Sequence, residues 1–281
     1  MDLDVVEHVG KSLIQHGSLN NRIYVMDLSK QDYPAIISFL EKLAREKKYT
    51  KIFAKVPKWA ENEFIANEFH PEAMIPGFYS GENDGLFLSK FLDEKRGKIS
   101  RKEKEKLQRV LNMFYEKKKK KQTDTLSDKF MVKRIREKES SNLANLYKQV
   151  FQTYPFPIHS EDFIKKTMKD NVQYYGMYFK NTLIAAASAE MSNEYGFVEM
   201  TDFASLPQFR GKNLSFFLLQ RMEQEMKKRL FKTCYTIARA HSFAMNSTFA
   251  KANYQYAGTL IHNTNIAGNI ESMNVLFKKI E

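Results

Sequence analysis

Hydrophobic and polar positions change period several times along the second half of the chain, and each change marks an element. Phe130 to Ile135 reads as a strand and Ser141 to Phe151 as a helix. Tyr154-Pro155-Phe156-Pro157-Ile158 is a turn that two prolines hold extended. Glu161 to Met168 reads as a helix, opened by Ser160 as its N-cap. Three strand-like runs follow, Gln173 to Phe179, Leu183 to Glu190 and Phe197 to Ala204, with hairpin turns at Lys180-Asn181 and Ser192-Asn193-Glu194. A helix from about Asn213 to Arg229 carries Leu214, Leu218, Met222 and Met226 on one face. A strand (Cys234 to Ala240), a helix (Phe243 to Asn253) and two strands (Tyr256 to Ile261 and Ser272 to Phe277) complete the series. The order is βαα-βββ-α-β-α-ββ, an α/β chain of the α+β type with a mixed sheet.

The first half repeats the ending of that series in shortened form. Ile52 to Val56 is strand-like, Trp59 to Phe69 helix-like, and Ala73 to Phe78 and Leu86 to Phe91 are strand-like again. A gapless slide of 185 residues sets Phe64 on Phe249, Phe69 on Tyr254 and Leu88 on Met273. Identities are few, so the pattern alone supports a repeat, and coincidence between two ordinary α/β sequences is the alternative. Between the halves, Leu107, Val110, Leu111 and Phe114 have helical spacing, and Gln122-Thr123-Asp124-Thr125 reads as a break. The expected division is a smaller α/β domain over residues 1–94, a basic helical linker over 95–127, and the main domain over 128–281.

Charge changes this picture little. The net charge of +12 lies entirely in residues 95–138, where 18 Lys and Arg face 6 Asp and Glu; the rest of the chain carries 27 of each sign. Such a run is first a solvated helix face or linker, and only second a nucleic-acid or membrane-surface patch. It can also help to attract an anionic cofactor. No apolar run approaches the ~20 residues of a membrane helix, and the acidic start Met1-Asp2-Leu3-Asp4 has no signal-peptide core. Cys234 is the only cysteine and the six His form no ligand set, so a reducing cytoplasm fits and no metal is expected.

Candidate chemistry concentrates where a strand runs through Thr201-Asp202-Phe203-Ala204-Ser205-Leu206-Pro207 into Gln208-Phe209-Arg210-Gly211-Lys212-Asn213-Leu214. Free N–H groups at a helix start, with the positive end of the helix dipole, suit a pyrophosphate. Gly211 lets backbone approach phosphate without a Cβ. Arg210 and Lys212 add charge, and Ser215 offers a hydroxyl in the first turn. Taken alone, the loop is equally a plain turn with solvated charges.

The loop resembles the acetyl-CoA loop of the GNAT N-acetyltransferases, which runs Gln or Arg, two residues, Gly, one residue, then Gly or Ala. Gln208 and Gly211 fit; Asn213 departs from the final small residue. Tyr154-Pro155-Phe156-Pro157-Ile158, Glu199 to Ala204, Tyr235 to Ala240, Met245-Asn246 and Ile270 to Asn274 resemble the β-lysine N6-acetyltransferase family. Lys51 to Pro57 and Glu72 to Phe78 carry the resemblance into the first half. It implies a GNAT fold with a mixed, mainly antiparallel sheet preceded by a smaller GNAT-like domain. It also implies acetyl transfer from acetyl-CoA to the ε-amine of β-lysine, directly, through a tetrahedral intermediate. The family's acceptor is a product of lysine 2,3-aminomutase, and its acetylated product serves in some organisms as a compatible solute. Other acceptors (lysine, a polyamine or a protein amine) remain open. So does a nucleic-acid-associated protein that only senses acetyl-CoA. Homodimer formation is a further expectation.

For cofactor contact the resemblance implies Phe203, Ala204, Ser205, Gln208, Phe209, Arg210, Gly211, Lys212, Asn213, Leu214 and Ser215, with Asn246 as a polar contact from the following helix. Glu199 and Asp202 are the candidates for the base, directly or through water; a structural ion pair or a hold on the acceptor's second ammonium are the alternatives. Three apart, they face opposite sides of a regular strand, unless a bulge intervenes. The backbone N–H groups around Phe203 and Ala204 are the natural oxyanion donors. Phe249 occupies the usual position of a tyrosine acid and cannot donate a proton, which leaves Tyr235, His241, a water or unassisted departure. For the acceptor's carboxylate, Arg239 is the candidate, or else it forms a surface salt bridge. Asn263, Asn265 and Glu271 flank the last hairpin, where they either meet substrate or simply make the turn.

Overall fold

The computed structural model describes residues 4–120, 125–152, 154–266 and 268–280. The first half lays down β1 (Val5–Val9), β2 (Ser12–Gly17), β3 (Arg22–Asp27), α1 (Ile36–Lys47), β4 (Lys51–Pro57), α2 (Glu61–Ala66), β5 (His70–Tyr79) and β6 (Asn83–Phe91). A single turn, α3 (Glu94–Gly97), and the long α4 (Arg101–Lys118) lead to the second half. That half comprises β7 (Phe130–Arg134), α5 (Ser140–Val150), α6 (Glu161–Asp170), β8 (Val172–Phe179), β9 (Thr182–Ser192), β10 (Phe197–Ser205), α7 (Leu214–Lys228), β11 (Thr233–Arg239), α8 (Phe243–Lys251), β12 (Gln255–Ile266) and β13 (Asn269–Lys279). Of the expected break, residues 122–124 lie outside the described residues.

All these strands join one mixed, mainly antiparallel sheet in the order β1-β2-β3-β4-β6-β5-β12-β13-β11-β10-β9-β8-β7. The order repeats about its middle. Antiparallel strands, β1 and β2 in the first half and β7, β8 and β9 in the second, lead to one parallel pair, β3 with β4 and β10 with β11, and then to a hairpin whose second strand sits inside the first. The corresponding α2 and α8 each end on a packed aromatic pair. Phe64 meets Phe69 edge-on at 4.9 Å, and Phe249 meets Tyr254 at 4.8 Å. The halves meet where β5 pairs with β12 at Ala73 and Gly258. A Cβ on Gly258 would lie 2.0 Å from the Glu72 carbonyl oxygen, so only glycine allows that approach.

Strand alternation sends each half-sheet's two faces to different cores. Ile23, Val25, Ile52 and Ala54 pack under α1 with Ile36, Ile37 and Leu40. Val198, Met200 and Cys234 pack under α7 with Leu218, Leu219 and Met222. The opposite faces turn toward each other, and Tyr24, Phe53, Phe78, Phe87, Phe197 and Tyr235 form a shared aromatic core. Phe78 stacks on Phe197 at 4.2 Å, a direct contact between β5 and β10. Buried polar bonds reinforce the seam. Lys51 Nζ donates to Glu72 (2.8 Å) and to the Ile261 carbonyl (2.7 Å), and Arg96 reaches the carbonyls of Asn20, Asn21 and His262.

α4 opens on a capping box in which Ser100 and Glu103 bond reciprocally. It buries Leu107, Val110 and Phe114 and packs on α8, leaving most of its basic residues in solvent. The first fifty residues, where the pattern marks no element, hold three strands and α1. Their inward positions include Gln15, His16 and Arg22, which are polar yet buried and so break the alternation that would reveal strands. β12 and β13 run longer than the pattern predicts, because their pairing resumes beyond an irregularity between Leu260 and Thr264. No helix among the described residues is long and apolar enough to cross a membrane.

Candidate active site

Between the facing half-sheets lies a cavity of about 300 Å³, lined from both halves. β2, β3 and β4 contribute Gln15, Arg22, Tyr24, Phe53 and Lys55; β9, β10 and β11 contribute Glu190, Phe197, Glu199, Thr201, Asp202 and Tyr235. Asn263 and Thr264 of β12 and the Tyr154-Pro155-Phe156 turn complete the lining. Its volume is at the low end of the usual range for small-molecule sites.

A bulge brings the two expected carboxylates together. β10 matches β9 at Thr201 to Ser188 and next at Ala204 to Ala186, so β10 carries one extra residue. Asp202 sits there with φ +54°, in the left-handed region. The extra residue reverses the alternation, and Glu199 and Asp202 both reach the cavity. β10 also parts from β11: they pair only from Phe197 to Glu199, while β11 continues on β13 as far as Arg239. The backbone at Phe203 and Ala204 thus lies beside a gap between two parallel strands.

Glu199 and Glu190 are direct cross-strand partners, an arrangement that disfavours two charges. Burial, then the charges of Asp202 and Glu199, raises Glu190 well above the ordinary carboxylate range. Glu199 is also raised by burial, but the Lys55 charge and hydrogen bonds from Tyr235 and the Ile237 N–H oppose the rise. Glu190 therefore holds its proton more firmly, and Glu199 is the better supported carboxylate. The Tyr235 hydroxyl donates to Glu199 Oε2 at 2.7 Å and accepts from Lys55 Nζ at 3.3 Å, forming a buried chain from β4 through β11 to β10. Asp202 accepts from the Ser188 hydroxyl at 2.7 Å and from the Tyr154 hydroxyl. Burial raises it too, against those bonds. Both its oxygens hold the bulge and the Tyr154 turn in place.

Beyond β10, Pro207–Phe209 form one 3-10 turn and α7 begins at Leu214. Gly211 has φ +77°, and a Cβ there would meet nothing within 4 Å. Asn213 precedes the helix at φ +58°, tolerable for asparagine, and its Oδ1 accepts from Lys251 Nζ at 3.2 Å. Gln208, Arg210 and Lys212 are exposed, Leu214 is buried in the α7 core, and Ser215 lies in the first helical turn. An open glycine loop with two flanking cations, at the start of a four-turn helix, fits the pyrophosphate of acetyl-CoA. The gap between β10 and β11 leads from that loop toward the cavity. Phe203 meets Phe249 edge-on at 5.6 Å, closing one side with rings that offer no proton.

Other expected site residues go elsewhere. Asn246 is buried and donates to the carbonyls of Arg239 (3.0 Å) and Ser242 (2.8 Å) while accepting from Asn274 (2.9 Å). Its amide ties α8 to β11 and β13, and Asn246 does not line the cavity. Arg239 takes up the salt-bridge alternative: both arms of its guanidinium meet Glu271, at 2.8 and 2.6 Å, and neither residue lines the cavity. Asn265 shapes the hairpin, accepting from Gly268 N–H while its own N–H donates to Asn20, and it too is absent from the lining. Asn263, two residues earlier, does face the cavity. Glu190, Lys55, Arg22, Gln15 and Ser188 escape sequence reasoning. Only the strand parity of Glu190 relative to Glu199 hints at any of them, and that needs the register. Among the described residues no group of His, Cys, Asp and Glu is suited to a metal ion.

The sequence profile of the Acetyltransferase (GNAT) family matches residues 140–254. The chain is 40% identical over 279 residues to the β-lysine N(6)-acetyltransferase of Methanococcus maripaludis, covering 99% of this chain and all of that one. It is 32% identical to the N-acetyltransferase YodP of Bacillus subtilis, across 96% of each chain. A second β-lysine N(6)-acetyltransferase, from Methanosarcina mazei, is 27% identical over 86% of this chain.

Proposed function

The chain belongs to the β-lysine N6-acetyltransferase family of GNAT enzymes, and from that premise we propose that it acetylates the ε-amine of β-lysine. It is an N-acetyltransferase that takes its acetyl group from acetyl-CoA. The observation that carries the acceptor reading is the cavity: four carboxyl groups (Asp27, Glu190, Glu199 and Asp202) face two cations (Arg22 and Lys55) beside the bulged strand. Such a lining suits a short cationic amine.

In this reading Glu199 takes a proton from the acceptor ammonium, whose ordinary pKa is about 10.4. A carboxylate raised by burial is a stronger base than one in water, which serves that step. Tyr235, backed by Lys55, steadies the ionised form of Glu199. The freed amine attacks the thioester carbonyl, whose growing negative charge is met by the N–H groups around Phe203 and Ala204; the tetrahedral intermediate then collapses, the C–S bond breaks, and the departing CoA thiolate takes up a proton to replace the one that the new amide nitrogen loses. Asp202 is a positioning residue that maintains the bulge. We assign the catalytic domain to residues 128–281, the helical connection to 95–127, and a GNAT-like domain that walls the acceptor cavity to 1–94. The acceptor comes from lysine 2,3-aminomutase chemistry, and the setting is cytoplasmic.

The test is to incubate the full chain with acetyl-CoA and, separately, β-lysine, α-lysine, spermidine or a lysine peptide, following thiol release and product mass. Preferred turnover of β-lysine with acetyl on the ε-nitrogen is expected. Acetyl-CoA binding without turnover of any free amine overturns the acceptor assignment.

A further inference from the structure

At the end of the cavity formed by β2, β3 and β12, three buried polar groups lack partners. Arg22 Nε, Gln15 Nε2 and Asn263 Oδ1 have no hydrogen-bond partner among the described residues, although the three side chains are only 4%, 1% and 1% exposed. All three residues line the cavity. Leaving such groups buried and unpaired forfeits their hydration, so clustering three of them is costly to the chain unless a ligand completes them.

Arg22 is the most informative. Its Nη1 is held by the Asn263 carbonyl at 2.6 Å and the Thr264 hydroxyl at 3.3 Å. Its guanidinium lies 5.3 Å from the Tyr24 ring centre and 5.6 Å from that of Phe53, which stack on one another. The side chain is therefore fixed before anything binds. Yet it forms no ion pair among the described residues. The carboxylates whose fields reach it, Asp4 and Glu72, are engaged with Asn20 and Lys51. A buried guanidinium without a counterion is a strong demand for an anion.

We infer that Arg22, Gln15 and Asn263 form a head-group subsite for the backbone of an amino acid. Arg22 and Gln15 donate to its carboxylate, and Asn263 accepts from its second ammonium. The other end of the molecule, carrying the amine to be acetylated, points toward Glu199 and the bulge. Two unpaired donors and one unpaired acceptor complement that pair of groups, whereas a polyamine places only positive charge against Arg22. The subsite rests on the amine-acceptor reading above and deepens it: the first half of the chain selects a carboxylate-bearing diamine over a simple one.

The test is steady-state kinetics on the full-length protein with β-lysine and with 1,5-diaminopentane, which has the same kind of terminal amine and no carboxylate. For Arg22→Met, kcat/KM for β-lysine should fall at least ~30-fold, carried mainly by KM, as for removal of one partner from a buried charge pair. Its kcat/KM for diaminopentane should rise, and KM for acetyl-CoA should stay put. Gln15→Leu, which removes an unpaired donor and is therefore safe for folding, should raise KM for β-lysine several-fold in the same pattern. If Arg22→Met fails to fold, the Gln15 variant alone decides. Wild-type turnover of β-lysine, with either folded variant leaving the β-lysine to diaminopentane ratio unchanged, overturns the subsite and spares the acceptor reading. A wild-type enzyme that prefers diaminopentane overturns both.

Discussion

In the second half of the chain, β10 leaves β11 after Glu199 and runs through a bulge into a glycine loop carrying Arg210 and Lys212. In the first half, β3 stays paired with β4 through Val25, has its own irregularity near Met26, and reaches α1 through a connection that carries Asp32. The Asp32 carboxylate accepts from the N–H groups of Lys11 (2.9 Å) and Ser12 (2.7 Å) and from the Ser12 hydroxyl (2.6 Å). One connection is open, glycine-containing and cationic; the other is filled by the chain's own anion. Equal topology therefore does not make equal sites. The second half has the anion-binding loop, while the first turns Arg22, Tyr24, Phe53 and Lys55 into its neighbour's cavity. The facing cross-strand pairs differ accordingly, Gln15 with Tyr24 in one half and Glu190 with Glu199 in the other.

The largest expected effect breaks the second half's chemistry without touching its frame. Glu199→Gln keeps the size of the side chain and an acceptor for Tyr235 but cannot take a proton. kcat should drop by roughly 10²–10⁴, the usual worth of a positioned base, with the acetyl-CoA dissociation constant unchanged. Thiol-release assays and calorimetric titration with acetyl-CoA read the two quantities separately. A loss of less than about fivefold would move the base elsewhere, with Glu190 the first alternative.

A smaller effect sharpens the contrast between the two connections. Gly211→Ala forces a Cβ into a left-handed conformation, at about 1–2 kcal/mol, and sets a methyl group where the phosphates approach. KM for acetyl-CoA should rise about tenfold or more. Asp32→Asn, at the corresponding point of the first half, should lower the melting temperature through its weakened turn and leave that KM unchanged. Equal effects of the two substitutions on KM would mean that the first half also meets the cofactor.

How much of this could be read beforehand follows from where the information resides. The loop from Gln208 to Gly211 is local, and its residue types speak for themselves. Core strands such as Phe197 to Ala204 are legible because one face packs under α7 and repeats with period two. The slide that aligned Phe64 with Phe249 and Phe69 with Tyr254 found two equivalent aromatic pairs, because each closes the same helix end. Arg22 and Gln15 were hidden for the opposite reason. Their value comes from facing Asn263, some 240 residues away in the chain, and a polar residue in a strand looks like a surface residue until its neighbour is known. The Arg239–Glu271 pair is hidden by the same logic, since it lies across a register that no spacing reveals.

The smallest effect concerns a link that crosses the halves, the chain from Lys55 through Tyr235 to Glu199. The Tyr235 hydroxyl bond favours the ionised form of Glu199, so it holds down a pKa that burial raises. Without that bond the carboxyl group takes up its proton at a higher pH. A base must be ionised to act, and the acid limb of the kcat/KM profile follows its pKa in the free enzyme. Tyr235→Phe should therefore move that limb upward by about one pH unit, because one hydrogen bond to a charged group is worth roughly 1.5 kcal/mol and one pKa unit about 1.4. The plateau rate at higher pH should change by only about threefold, since Glu199 itself remains. Lys55→Met should shift the limb in the same direction, by removing the positive charge that opposes burial. The two shifts need not add, because both act on one carboxylate through one hydroxyl. A limb that stays in place in both variants would detach the first half from catalysis and leave it only the task of holding the acceptor.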